Sequence, residues 1–171
     1  MYLIFKYMEG YTKEGILSGI LSSINLGQNV SMSGNSLIGN YIPSKTGWDI
    51  RKALTHLTSA ANVSSVGRCA MYVRQAIEAG GLSTAGRPTS AYKYTEFLPK
   101  IGFKHVAMLS GVTKQAEWTN TSAVPGDIAV MNHGQHGHIC MWTGKRWISD
   151  FIQNKMWPYS GDGVCNIFRF A

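Results

Sequence analysis

Apolar residues recur at helical spacing in the first half of the chain and form short runs in the second half. Ile50, Leu54 and Leu57 lie three or four residues apart, which predicts a helix over residues 48–61. Another helix, which is short, is predicted over residues 92–101 and ends before a glycine turn. The first half of the chain is therefore expected to be mainly helical.

Between these two helices, a second amphipathic helix is predicted to begin at Cys69. Gly80 and Gly81 follow its last apolar positions. Glycine readily takes the left-handed conformation that closes a helix, so we expect this helix to end there. The thiol of Cys69 would then lie in the first turn of its helix.

Strand patterns replace helical ones after residue 102. Each segment is apolar and is bounded by Gly, Pro, Asn or Asp. The five predicted strands are residues 103–108, 128–132, 137–143, 146–152 and 166–170. Helices followed by an antiparallel meander predict an α+β fold, with the N-terminal helices packed on one face of an antiparallel β-sheet.

The chain divides into two parts by composition. Residues 1–47 are rich in Gly, Ser and Asn, and we interpret them as an N-terminal extension. Leu17, Ile20 and Leu21 have helical spacing and predict one short helix within it. Residues 48–171 carry the stronger patterns and are expected to form a single domain.

The chain is basic, with a formal net charge of +7 and a sequence pI of about 9.4. This balance favours an anionic partner such as nucleic acid, anionic lipid or a polymer like peptidoglycan. Lys and Arg are scattered rather than clustered, so no nucleic-acid patch is predicted. No apolar run reaches the ~18 residues that predict a membrane span. The first residues also lack the pattern of a signal peptide.

The chain contains three cysteines: Cys69, Cys140 and Cys165. They are too few and too far apart for a disulfide scaffold, and no Cys-x-x-Cys pair predicts a zinc site. If Cys69 is the odd thiol, Cys140 and Cys165 lie on predicted strands and either pair in an oxidising compartment or remain two buried thiols.

Cys69 and His138 form the strongest candidate for chemistry. A helix N-terminus presents free N–H groups that lower a thiol pKa, which favours a reactive Cys69. His138 lies on the predicted strand 137–143 and could take the thiol proton and return it to a leaving amine. The alternative is that Cys69 is a small buried side chain without chemistry.

An alternative interpretation is a zinc site formed by the histidines at 133, 136 and 138. A His-x-His pair forms half of the zinc site in some cell-wall metallopeptidases. The upstream His-x-x-x-Asp partner is missing, because His56 is followed four residues later by Ala60 and His105 by Leu109. We therefore expect no metal site and interpret these histidines as flanking the active site.

Three sequence blocks resemble a known superfamily. Residues 67–73 read Gly-Arg-Cys-Ala-Met-Tyr-Val, residues 125–130 read Pro-Gly-Asp-Ile-Ala-Val, and residues 137–139 read Gly-His-Ile. Together they resemble the papain-like NlpC and CHAP superfamily of cell-wall cysteine amidases and endopeptidases. Residues 147–153 and the Trp-Pro pair at 157–158 look most similar to the amidase effectors of type VI secretion systems.

This resemblance implies a function and roles for three residues. The family cleaves amide bonds in peptidoglycan peptide stems or crosslinks without a cofactor. Cys69 would be the nucleophile, His138 the general base and then acid, and Asp150 the polar residue that orients His138. The chain would be made in the cytoplasm without a signal peptide, then secreted or injected to act in the periplasm or cell wall of a target bacterium. A cognate immunity protein is the expected partner.

The length of the turn after the His138 strand determines whether the Asp150 side chain can contact His138. A two-residue turn at Gly144 and Lys145 would oppose His138 to Phe151 and send Asp150 to the other face. A three-residue loop that includes Arg146 would leave His138 and Asp150 diagonal on one face. We therefore predict an odd-length connection, with Gln153 as the substitute if Asp150 faces away.

Two further residue assignments and two functional alternatives complete the predictions. Asp127 is assigned to structure, because a Pro-Gly-Asp turn commonly begins a strand. Oxyanion donors are expected from the Cys69 backbone N–H and a preceding side chain, Ser64 or Ser65. The alternatives are a non-catalytic module that binds cell wall, and a thiol hydrolase or deamidase that acts on proteins.

Overall fold

The computed structural model describes residues 47–171. The predicted extension 1–47 and its short helix, apart from residue 47, lie outside the described residues. Within residues 47–171, no helix is both long enough and apolar enough to cross a membrane.

Helix α1 (Ile50–Ala60) confirms the first predicted helix. The Asp49 carboxylate caps it by accepting hydrogen bonds from the backbone N–H groups of Arg51 and Lys52, at 3.0 and 3.2 Å. These bonds satisfy two of the N–H groups that have no partner within the helix. On its apolar face Leu54 and Leu57 are completely buried, and Ile50 is partly buried.

Helix α2 (Cys69–Ala79) confirms the predicted position of Cys69 in the first turn. Gly81 has φ +96° and ends the helix in the left-handed conformation, as expected. Val73, Ala76 and Ile77 form the buried stripe of the helix. Cys69 is therefore held at one end of a well-packed element.

Residues 91–101 form a composite of short helical turns rather than one helix. A 3-10 turn (Ala91–Lys93) leads into α3 (Tyr94–Phe97) and a second 3-10 turn (Leu98–Ile101). Pro99 lies in the last turn. Helix α4 (Val112–Thr121) was not predicted, because it buries only Gln115 and so shows no apolar stripe.

The six strands form one antiparallel sheet in the order β1-β6-β2-β3-β4-β5. Their bounds are β1 (Phe103–Ser110), β2 (Ile128–Met131), β3 (His138–Trp142), β4 (Trp147–Ile148), β5 (Ile152–Gln153) and β6 (Val164–Phe170). Alternate residues of the central strands pack into two different clusters. Ile139 and Met141 of β3 join α1 and α2, whereas Cys140 packs on the opposite face with Trp157. The predicted α+β arrangement of helices on an antiparallel sheet is confirmed.

The predicted strand 146–152 is wrong in one respect that matters for the site. The chain reverses after Ile148, and β5 returns with Trp147 opposite Gln153 and Ile148 opposite Ile152. The Ser149 N–H donates to the Phe151 carbonyl at 3.0 Å within this reversal. Asp150 therefore lies in a tight turn and not in a strand.

Cys140 and Cys165 are both buried and free. Cys140 is opposite Ala129 of β2, and Cys165 is opposite Met131 on the other side of the same strand. Strand β2 thus separates the two thiols, so the alternative of two buried thiols is the one observed in this structure.

The carboxylate of Asp127 has structural contacts, in line with its assignment. It is completely buried and forms a bidentate ion pair with Arg169, with both N···O distances 2.7 Å. It also accepts from the Val124 N–H at 3.0 Å. These contacts join the turn before β2 to strand β6.

We expect Gly137→Ala to be more destabilising than Gly134→Ala. Both glycines have positive φ, +70° and +61°, so both variants carry backbone strain of about 1–2 kcal/mol. A Cβ on Gly137 would also lie 2.5 Å from the Met131 carbonyl oxygen and 2.8 Å from Tyr92, whereas Gly134 has open space. Chemical denaturation of both variants measures the difference. Equal losses would contradict the close approach of backbone beside His138.

Candidate active site

A cavity of about 650 Å³ lies on the face of the sheet opposite α1 and α2. A second cavity, a cleft of about 540 Å³, opens where α2 meets the start of β3. This cleft contains the predicted chemistry. Its lining includes Ser65, Gly67, Arg68, Cys69, Ser90, His136, His138, Asp150 and Tyr159. The structure therefore brings Cys69, His138 and Asp150 to one cavity, although the three are far apart in sequence.

Burial controls the state of the Cys69 thiol. Desolvation raises its pKa above the usual 9.0, and the negative charge of Asp150 adds to this. The backbone N–H groups of Ile139, Ala70 and Cys69 act in the opposite direction. The expectation that the helix N-terminus lowers this pKa overall is therefore wrong, because burial outweighs the amide groups.

The His138 imidazole is buried and held by an amide. It is 4% exposed, and its Nε2 is 2.9 Å from Oε1 of Gln153. Desolvation lowers its pKa below the usual 6.5, although the hydrogen bond to Gln153 and the charge of Asp150 oppose this. A neutral ring donates Nε2–H to the amide oxygen, which fixes the tautomer and makes Nδ1 the basic nitrogen.

Strand register explains why Gln153 reaches His138. Met141 is opposite Ile148 and Trp142 is opposite Trp147, which is the register of the two-residue Gly144-Lys145 turn. The predicted odd-length connection is therefore wrong. Because opposed residues share a face, Trp142, Trp147 and Gln153 lie on the same side of the sheet as His138. Gln153 was the substitute that the sequence offered.

The Asp150 carboxylate is placed differently from the expectation. Its Oδ2 accepts from the Val66 N–H at 2.7 Å, the Arg68 N–H at 3.2 Å and the Ser65 hydroxyl at 3.0 Å. Oδ1 accepts from the Ser149 hydroxyl at 3.0 Å. Asp150 thus organises the loop before Cys69, and its hydrogen bonds do not include the imidazole that it was expected to orient.

These contacts also set the charge of Asp150. Desolvation acts to raise its pKa, but the N–H groups of Arg68 and Val66 and the two serine hydroxyls together lower the pKa below the usual 3.8. The group is therefore a carboxylate at neutral pH. The negative charge of Asp150 acts to raise the pKa of Cys69 and of His138. At His138 this effect only partly opposes the larger lowering by desolvation.

Aromatic rings enclose the imidazole from the side of the C-terminal loop. Tyr159 meets the His138 ring edge to face, with centroids 5.7 Å apart, and stacks on His133 at 3.9 Å. Burial raises the pKa of Tyr159 to about 12, so its hydroxyl stays protonated. Sequence reasoning did not single out Tyr159, although it directly follows the Trp-Pro pair at 157–158 that carries part of the effector resemblance.

The three clustered histidines do not converge. His133 stacks on Tyr159, His136 Nδ1 lies 3.4 Å from the Ser90 hydroxyl, and His138 binds Gln153. Within residues 47–171, no group of three or more His, Cys, Asp or Glu side chains has an arrangement that could hold a metal ion. The histidines flank the cleft.

A helical layer on an antiparallel sheet, with a thiol and an imidazole lining one cleft, defines a papain-like architecture, as predicted. Two solved structures are similar, the native and selenomethionine forms of the type VI effector–immunity complex Tae3–Tai3 from Ralstonia pickettii. The first match is 30% identical with a TM-score of 0.57, and covers 70% of this chain and 97% of the matched chain. The second is 30% identical with a TM-score of 0.54, and covers 69% and 99% respectively.

The chain belongs to the type VI effector family that includes Tae3. No protein-family model and no curated protein matches the sequence. The predicted similarity to type VI effectors is thus confirmed, while the assignment to the NlpC and CHAP superfamily stays a prediction.

We expect Asp150→Asn to destabilise the domain by about 3 kcal/mol at neutral pH, because four hydrogen bonds to a buried carboxylate are weakened. The folded pKa is depressed, so this stabilisation is present above the unfolded pKa and is lost as pH falls through the folded value. Denaturation of wild type and variant across acidic pH should show the two stabilities converging. A constant difference at every pH would contradict a role for the charge.

Proposed function

We propose that this protein is an antibacterial type VI effector that hydrolyses amide bonds in peptidoglycan peptides by cysteine chemistry. One observation carries the proposal: in a chain of this effector family, Cys69 at the start of α2 and His138 at the start of β3 line the same cleft. A partly buried thiol that shares a cleft with a tautomer-fixed imidazole supports acyl transfer. The substrate would be a peptide stem or crosslink.

The reaction begins from a neutral pair. The pKa of the thiol is raised and that of the imidazole is lowered, so Cys69 keeps its proton and His138 is uncharged at neutral pH. As the sulfur attacks the carbonyl carbon of the scissile amide, His138 Nδ1 takes the thiol proton. The resulting imidazolium then protonates the leaving amine, the C–N bond breaks, and a thioester to Cys69 remains.

Hydrolysis of the thioester repeats the proton transfers with water. His138 takes a proton from the water as its oxygen attacks the thioester carbonyl. The C–S bond breaks, and the proton returns to the sulfur, which regenerates the neutral pair. No cofactor is consumed in this cycle.

Oxyanion stabilisation is assigned to the backbone. The first N–H groups of a helix have no intrahelical partner, and those of Cys69 and Ala70 lie at the start of α2 next to the sulfur. The hydroxyl of Ser65, one of the two expected donors, already donates a hydrogen bond to Asp150. We therefore assign the oxyanion to the Cys69 N–H.

Gln153 takes the orienting role that was expected of Asp150. Its Nε2 donates to the carbonyls of Lys155 and Met156, both at 3.1 Å, which leaves Oε1 directed at His138. An amide stabilises the imidazolium less than a carboxylate would, because it brings no charge. The Asp150 carboxylate supplies the charge from a distance.

We also propose a cognate immunity protein and delivery into a target bacterium. Both similar structures are complexes of an effector with its immunity protein. An enzyme that cuts peptidoglycan endangers the cell that makes it, so an inhibitor that covers this cleft would protect the producer. The site of action would be the periplasm or cell wall of the injected cell.

Digestion of purified peptidoglycan is the direct test. Wild type should release amide-cleaved muropeptides, identified by chromatography and mass, and Cys69→Ala should lower the rate more than about a thousandfold. Cys165→Ala is the matched control, because it removes a completely buried thiol that does not line the cleft. It should keep its activity.

Other outcomes identify the alternatives. Equal cleavage by Cys69→Ala would exclude Cys69 as the nucleophile. No cleavage by folded wild type would favour a protein substrate if other amides are cut, or a wall-binding module if sacculi are bound but nothing is cut.

The pH profile tests the neutral pair. We expect kcat/KM to be flat between an acid limb below 6.5, set by His138, and an alkaline limb above 9.0, set by Cys69. The Gln153 hydrogen bond raises the pKa of His138, so Gln153→Ala should move the acid limb to lower pH and Gln153→Glu should move it to higher pH. A purely structural role of Gln153 would lower stability without moving the limb.

A further inference from the structure

The cavity of about 650 Å³ has no assigned role. It lies between α4, the turn from β3 to β4 and the segment that follows Gln153. Its lining includes Gln115, Trp142, Lys145, Gln153, Lys155 and Trp157. None of these residues lines the active-site cleft. The size falls within the range of small-molecule and peptide sites.

The ionised side chains that line this cavity are all positively charged. Lys145, Arg146 and Lys155 line it, and no Asp or Glu does. Both lysines are exposed. A cavity whose ionised groups are all cationic favours an anionic ligand.

The walls combine indole rings with unpaired polar atoms. Trp142, Trp147 and Trp157 line the cavity, and the ring of Trp142 is the partly exposed one of the three. Gln115 is 2% exposed, and its Nε2 donates to the Gly163 carbonyl at 2.8 Å, while its Oε1 has no hydrogen-bond partner among the described residues. The Trp157 indole N–H is likewise buried without a partner. Buried polar atoms usually have partners, so a ligand with amide groups would suit these walls.

We infer that this cavity is a second substrate-binding site, which takes a carboxylate-bearing peptide segment of peptidoglycan while a different segment is cut at Cys69. This inference rests on the proposed function. Carboxylates would meet the exposed lysines Lys145 and Lys155 at the rim, and backbone amides would meet Gln115 and the indole rings. A concave site of this size favours a short peptide over a nucleic-acid duplex.

The cavity contacts the active site through two side chains. Gln153 lines the cavity and holds His138 at 2.9 Å, and its Nε2 binds the carbonyls of Lys155 and Met156, which also line the cavity. Trp157 lines the cavity and packs edge to face on Tyr159, with centroids 5.4 Å apart. An occupied cavity would therefore fix the segment that positions the imidazole.

Binding is tested by NMR on the Cys69→Ala variant, which cannot consume the probe. The probe is the tetrapeptide L-Ala-γ-D-Glu-meso-diaminopimelate-D-Ala, and its carboxyl-amidated form is the comparison. The acidic peptide should shift the indole N–H signals of Trp142 and Trp157, while that of Trp48, in the helical core, stays unchanged. The amidated peptide should bind about tenfold more weakly.

Paired lysine variants supply the matched control. Lys145→Gln with Lys155→Gln should weaken the indole shifts and slow digestion of intact sacculi by about tenfold. Lys100→Gln with Lys104→Gln removes two exposed lysines outside the cavity and should change neither.

Three results would overturn the inference: signals that move only around the catalytic cleft, equal shifts with the amidated peptide, or equal effects of the two lysine pairs. The spectra do not depend on cleavage. A failure here therefore counts against the second site alone, whereas a failure of wild type to digest sacculi counts against the proposed chemistry.

Discussion

The buried carboxylate of Asp150 is the interaction on which the arrangement of the site depends. Its side chain binds the loop before Cys69 through the N–H groups of Val66 and Arg68. Its backbone carbonyl accepts from the N–H and side-chain amide of Asn62, at 2.9 and 2.8 Å. One turn of the sheet thus fixes the segment that joins α1 to α2, and with it the first turn that carries the thiol.

The same turn also determines what lies beside His138. Because the chain reverses around Asp150, β5 runs back along β4 and carries Gln153 onto the face of the imidazole. An uncharged amide then binds Nε2, while the carboxylate acts through its charge. Neither the partly buried thiol nor the buried imidazole hydrogen-bonds to a carboxylate, and desolvation raises the pKa of Cys69 and lowers that of His138, so both groups are neutral at neutral pH.

The two faces of the sheet pack against different parts of the chain. One face packs against α1 and α2 and holds the stable core, with Leu54, Val73 and Ile139 fully buried. The other face carries His138 at its edge and then the tryptophan-lined cavity under α4. Gln153 binds His138 and Trp157 packs on Tyr159, and both Gln153 and Trp157 line that cavity. These two side chains therefore connect the candidate active-site cleft with the cationic cavity.

Sequence patterns predict the helix that begins at Cys69, the strand that contains His138 and the α+β class, because these depend on local periodicity, turn residues and a short motif. Helix α4 could not be predicted from an apolar stripe, because the residue that it buries, Gln115, is polar. The partner of His138 depended on strand register, where one residue decides which face a side chain takes. Two features of the site could not be predicted from the sequence: the contact of Gln153 with the imidazole, and the binding of the loop before Cys69 by Asp150. Both follow from the chain reversal between β4 and β5, and the hydrogen bonds of Asp150 to that loop join residues more than 80 positions apart.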